Sequence, residues 1–138
     1  MYSVTQQNND ENVIQNIIQD MTNNPNGEKN VGRHHMTNDS VFIRPSGNPL
    51  DMVGWDAMMN SDDVTLRFSK LISINKLEVG QDMAYACYTT HSQFNYKGTD
   101  NDDIAVFTAV YRKLDGVWKF VFGQRSTGRN PGDPLPKF

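Results

Sequence analysis

A single arginine closes the run "GVWKFVFGQRS" (116–126), where a strand would be expected to finish among apolar neighbours. A guanidinium stays charged when buried and grips a carboxylate through two parallel hydrogen bonds, so Arg125 is well typed for holding a small anion. Two readings of it stand open: a strand-end charge paired on the outside, or a cation facing an interior. An interior arginine without a counter-charge is destabilising by several kcal/mol, so it needs a protein carboxylate or a bound anion. Arg44 in "FIRPSG" poses the same choice between pocket and surface. His91 titrates near neutral pH and could act as a general base or hydrogen-bond donor; the competing reading is a satisfied histidine near a sheet edge.

Other groups are less promising. His34 and His35 are adjacent, and neighbours in a helix or strand point to different sides. No Cys/His/carboxylate set with ligand spacing accompanies them, so no metal is expected, and no cofactor. "TDNDD" (99–103) lacks the Gly and the distant Glu of a calcium-binding hand and reads as a solvated hairpin loop. Cys87, the only cysteine, lies among strand residues and reads as a small buried hydrophobe rather than a nucleophile. It can form no internal disulfide, which fits a reducing compartment, so a cytoplasmic location is expected. Nucleophile-elbow, P-loop and dinucleotide signatures are absent. Acidic residues fall in apparent turns (Asp51, Asp62, Asp63, Asp82, Asp100, Asp102, Asp103), leaving no paired carboxylates on the strands.

The elements that must position these groups follow from periodicity. Residues 1–10 are polar and read as frayed. Val13, Ile14, Ile17, Ile18 and Met21 recur at helical spacing, with Asn9 or Asp10 placed as cap. "NNPNGEKN" stops this helix; 31–40 is ambiguous, with room for one helical turn; "SVFIRP" (40–45) reads as a strand. Met52, Val53, Trp55, Met58 and Met59 suggest a second amphipathic helix after Asp51. A Trp/Met stripe at that spacing is core packing or the lid of a pocket. From Val64 onward the period changes to two, giving four long strands, the last two joined by the hairpin dipeptide Asp115-Gly116. Helices followed by consecutive antiparallel strands mean α+β, with a curved sheet of four to six strands around the helices. One domain over 11–128 and a Pro-rich tail over 129–138 complete the division.

Composition narrows the partners. The 138 residues carry 13 basic and 16 acidic side chains, net −3, which argues against nucleic acid. No apolar run approaches a membrane span, and the first twenty residues lack the basic start of a signal peptide.

Strand alternation sorts the candidates by face. Val121, Gly123 and Arg125 share one face, with Gly123 leaving room beside the arginine; Trp118, Phe120, Phe122 and Gln124 share the other. Tyr85, Cys87, Thr89 and His91 form one group, Ala84, Ala86, Tyr88 and Thr90 the opposite one.

The element order and the closing hairpin "TAVYRKLDGVWKFVFGQRSTG" resemble the nuclear transport factor 2-like (cystatin-like) superfamily and its SnoaL-like members. The hairpin is similar to the end of the association (hub) domain of calcium/calmodulin-dependent protein kinase II; Asp115, Gly116, Trp118, Val121, Arg125 and Ser126 match its pattern. The resemblance implies a cone whose interior binds small carboxylates. Of the family's arginines only Arg125 is kept, with Thr89 and Ala109 where the others stand. It further implies that Tyr85, Cys87, Thr89 and His91 face inward, with Phe107 as apolar wall and Trp55 and Met58 as lid. The iota class of carbonic anhydrase shares the cone, but Gly123 and Gln124 stand where its two histidines would be. The resemblance thus favours a module binding a small anionic ligand through Arg125 and Arg44, as a homodimer through Trp118, Phe120 and Phe122. A SnoaL-like isomerase, cyclase or hydratase using His91 with Tyr85 or Tyr88 is the alternative, and an assembly domain without ligand the third reading.

Overall fold

The computed structural model describes residues 1–138. The chain begins with a capping box: the Ser3 hydroxyl accepts from the Gln6 amide, and the Gln6 side chain accepts from the Ser3 amide. This pair starts helix α1 at Val4, and it runs to Thr22. The expectation of a frayed 1–10 segment capped at Asn9 or Asp10 is therefore corrected. Asp10 is buried in the second turn, and the apolar stripe continues through Ile14, Ile17 and Ile18. Val13, counted in that stripe from sequence, is 43% exposed.

After α1 the chain makes a turn of 3-10 helix at Arg33–His35, then strand β1 (Met36–Ile43), the short β2 (Pro49–Leu50) and helix α2 (Met52–Asn60). Asp51 caps α2 by accepting from the Gly54 amide at 2.8 Å. Four long strands follow: β3 (Val64–Val79), β4 (Met83–Tyr96), β5 (Thr99–Leu114) and β6 (Val117–Arg125). Two-residue turns join the last three. Lys97-Gly98 (φ 49° and 88°) and Asp115-Gly116 (φ 52° and 80°) both have left-handed residues, as the twist of a hairpin requires. The first of these moves "TDNDD" out of the expected loop and into β5, where Asp100, Asp102 and Asp103 pair with Asn95, Gln93 and Ser92.

The sheet order is β2-β1-β6-β5-β4-β3, antiparallel except for the parallel β1–β6 pair. This is the α+β architecture that the sequence resemblance implies, a curved sheet with helices, here with six strands. Helix α1 packs on the concave face against β3 and β6. Small residues there, Ala84, Ala86 and Ala109, let Ile14 and Ile18 approach the strands. Tyr88, Tyr111, Trp118, Phe120, Met36 and Phe42 complete the core.

Two expectations about faces are overturned. On β4 the alternation is as read, but its sense is reversed: Ala84, Ala86 and Tyr88 pack in the concave core, so Tyr85, Cys87, Thr89 and His91 lie on the convex side. On β6 a bulge at Val121 breaks the parity, since Tyr111 pairs with Phe120 and the next residue, Val110, with Phe122. Trp118 and Phe120 therefore share the concave side with Gly123 and Arg125 and are buried at 3% and 2% exposure. Neither can belong to a dimer surface. Only Phe122 points outward. The space beside Gly123 is filled by protein, because an added Cβ would meet Phe120 Cζ at 2.5 Å.

Beyond β6, the Arg129 backbone exchanges both hydrogen bonds with Ile104, so the start of the tail is held to β5. No helix is long and apolar enough to cross a membrane.

Candidate functional site

The candidate site lies at the end of the concave face where β4, β5, β6 and the end of β1 meet. Arg125 terminates β6, opposite Phe107 on β5. Its Nη2 donates to Asp103 Oδ2 at 2.9 Å, and its guanidinium stands 5.8 Å from the centre of the Phe94 ring. The two charged side chains are 13% and 20% exposed, so this pair is largely withdrawn from water. Gly128 lies against the Asp103 carboxylate, where any side chain would collide with it. Arg125 is thus a strand-end arginine on the concave side, half-buried, whose counter-charge is a protein carboxylate. Asp103 lies on β5 and not in a loop, because the Lys97-Gly98 turn is only two residues long.

Arg44 is the next residue after the Ile43–Gln124 rung, so the parallel register sets it level with Arg125. Alternation from buried Phe42 places it on the concave side. Its Nε is buried and has no hydrogen-bond partner. A buried donor left unmatched is destabilising by about 1–3 kcal/mol. Arg44, Arg125 and Asp103 together carry one net positive charge.

The apolar wall beside them is real but packed. Phe107 stacks on Tyr88 with centroids 5.3 Å apart, and Phe42 approaches Phe107 at 6.1 Å and Trp55 at 5.0 Å. Trp55 donates its indole N–H to Asn30 Oδ1 at 2.9 Å, so it belongs to the core edge and is tied to the 23–30 turn. Met58 is half-buried on α2.

His91 and its companions lie elsewhere. His91 Nε2 is 2.6 Å from Asp102 Oδ1, with the Phe68 ring edge-on at 5.2 Å. It thus sits in a polar pair on the convex side, on a strand flanked by β3 and β5 and not at a sheet edge. Tyr88 is on the opposite face, and Tyr85 is six residues away along the strand, roughly 20 Å. Neither tyrosine meets His91, so the proton-transfer pair expected from sequence is not assembled. Thr89 donates to Asn75 Oδ1 at 2.8 Å, and Cys87 Sγ contacts Thr108 Oγ1 at 3.7 Å, both away from Arg125.

Three groups escaped the sequence reading. Asp10 accepts from Tyr2, Lys113 and the Trp118 indole. Burial by itself would raise its carboxyl, but these hydrogen bonds outweigh that and hold it below the ordinary 3.8. Tyr111 is wholly buried with an unpartnered hydroxyl, and burial pushes both Tyr111 and Tyr88 well up, so neither ionises near neutrality. Finally, His34 and His35 do converge with a carboxylate, that of Asp20.

Residues 8–132 match the family model described as "protein of unknown function (DUF3804)". Among solved structures, an NTF2-like protein of unknown function from Prochlorococcus is 34% identical with a TM-score of 0.74, over 87% of this chain and 94% of that one. An NTF2-like protein with a cystatin-like fold from Novosphingobium aromaticivorans is 14% identical, with a TM-score of 0.65 over 91% of this chain and 90% of its own. The association domain of C. elegans calcium/calmodulin-dependent kinase II is 17% identical, with a TM-score of 0.60 over 89% and 96%. No curated protein matches the chain by sequence.

Proposed function

We propose a binding role for this chain, which belongs to the DUF3804 family and to the NTF2-like proteins: it holds a small carboxylate-bearing anion between Arg44 and Arg125. The observation that carries this reading is the buried Arg44 Nε with no acceptor. Asp103 already neutralises one of the two cations, so a single further negative charge balances the cluster. Phe94 and the half-buried Phe107 flank the arginine, which favours an anion with a short apolar body. Arg125 then acts through its fixed pair with Asp103, and Arg44 supplies the free donors.

The test is thermal denaturation with acetate or benzoate, at ionic strength matched with sodium chloride. Wild type should gain several degrees at tens of millimolar carboxylate, and Arg44→Gln should gain less than a third of that. Equal shifts in both proteins, or none in either, would end the proposal. A catalytic role for His91 gains no support from its place on the convex side.

A second reading, self-association, rests on a different observation. Tyr85, Val110 and Phe122 are cross-strand neighbours on the convex face, and Tyr85 and Phe122 are 43% and 39% exposed. The C. elegans protein of similar fold is an association domain. We propose a homodimer through this row, in place of one through Trp118 and Phe120. Phe122→Asp should halve the mass seen by light scattering while leaving the melting temperature within a few degrees. A wild-type monomer at high micromolar concentration would refute it.

A further inference from the structure

The 3-10 turn Arg33–His35 is anchored to both α1 and β6. Gly32 enters it at φ 73° and packs directly on Met21 of α1, so close that an added Cβ would lie 2.6 Å from Met21 Cγ. The His35 amide donates to the Gly32 carbonyl at 2.9 Å, and Lys119 Nζ donates to the His34 carbonyl at 2.7 Å. Arg33 reaches away to Asp56 at 2.8 Å and to the Met36 carbonyl. The turn therefore holds both imidazoles against the last turn of α1, with their rings 4.0 Å apart. Asp20 comes from that helix turn, and His35 Nε2 lies 2.9 Å from Asp20 Oδ2.

One ligand atom from each of Asp20, His34 and His35 lies within 4.8 Å of the other two. Around a tetrahedral zinc ion with bonds of about 2.0–2.1 Å, ligand atoms stand about 3.3 Å apart. The three side chains thus need only small rotations to meet one ion, and Asp20 and His34 are exposed and free to make them. The electrostatics agree. The site sits at the negative end of a 19-residue helix that has no basic residue in its last turn. Asp20 and His34 also line one surface cleft of about 580 Å³, which leaves room for water or a further ligand beside the ion.

We propose that Asp20, His34 and His35 form a three-ligand site for a divalent transition-metal ion of the zinc type, with the remaining coordination open to solvent. Two imidazoles and one carboxylate suit borderline ions and not calcium or magnesium, which take all-oxygen sets. The site is separate from the Arg44–Arg125 cluster and does not depend on it.

The full-length chain, stripped with EDTA and dialysed, is titrated calorimetrically with zinc chloride, and with cobalt(II) while recording visible absorption. The expected result is one zinc per chain, cobalt d–d bands of a low-coordinate ion, and no heat from magnesium or calcium. His34→Ala, His35→Ala and Asp20→Ala should each weaken zinc at least tenfold, with metal-free melting curves close to wild type for the exposed His34 and Asp20. His91→Ala, the remaining histidine, should bind as wild type. Absence of zinc binding at millimolar concentration overturns the proposal. So does binding that survives both histidine substitutions or is lost in His91→Ala.

Discussion

Asp10→Ala is expected to lower the unfolding free energy by about 3 kcal/mol and the melting temperature by about 10 °C. The carboxylate ties the N-terminus to the closing hairpin: it accepts from Tyr2 just before α1 (2.6 Å), from Lys113 at the end of β5 (3.2 Å) and from Trp118 at the start of β6 (2.9 Å). Lysine can swing to solvent when the acceptor is removed. The indole N–H cannot, because Trp118 is 3% exposed beneath the helix, and it would be left buried and unpaired. Asp10→Asn keeps an acceptor for the indole, so its loss should be smaller, about 1 kcal/mol. The pH dependence has a fixed sign. Because the folded carboxyl is held below 3.8, folding favours the ionised form, and the stability this gives is complete above about pH 5. It is lost as pH falls through the folded value. The gap between wild type and Asp10→Ala in urea unfolding should therefore be constant from pH 5 to 8 and narrow as pH falls below about 4. Tyr2, pushed up to about 12 by burial and by its bond to Asp10, works the other way, losing its contribution as pH rises past 10. An Asp10→Ala loss no greater than that of the exposed Asp20→Ala would refute the anchoring role.

The same residue shows where sequence reasoning reaches and where it stops. Ile14, Ile17 and Ile18 announce the helix because burial imposes their spacing. Asp10 falls on that same stripe, yet a lone polar residue on an apolar face looks like a terminus until its partner is known. That partner, Trp118, is 108 positions away. Strand existence was legible on β3 to β6 for the same reason, since alternation is local. Facing was not. Nothing in "WKFVFG" marks Val121 as the bulged residue, yet that one extra residue decides whether Trp118 and Phe120 are core or surface. The sense of β4 did leave a trace: Ala84 and Ala86, like Ala109 beside them on β5, are small because a helix lies on them. Asp103 was recoverable in principle. Had Lys97-Gly98 been read as a two-residue turn, counting rungs would have put Asp103 opposite Ser92 and inside the sheet. Asp20 was not recoverable, because its meeting with His34 and His35 depends on how the 23–32 segment folds back.

Asp103→Asn tests the anion reading from the side of the protein's own carboxylate. The substitution keeps the shape that Gly128 packs against and removes only the charge. Arg125, 13% exposed, then loses its counter-charge, which should destabilise the protein by about 2–3 kcal/mol in carboxylate-free buffer; the residual exposure of both groups keeps this below the value for a fully buried pair. The cluster's charge rises from one to two. A ligand carboxylate about 6 Å from the vacated position no longer feels the repulsion of Asp103, worth about 1.4 kcal/mol at an effective dielectric constant of about 40, or about tenfold in affinity. The variant should therefore be both less stable and more responsive: acetate should raise its melting point at roughly a tenth of the concentration wild type needs. The two effects separate two claims. Destabilisation with no gain in acetate response would keep the Arg125–Asp103 pair as a structural clamp and remove the anion site. A gain that persists after Arg44→Gln is added would place the anion on Arg125 alone. No destabilisation at all would mean that water, and not Asp103, balances the guanidinium, and the whole cluster would then have to be moved to the surface.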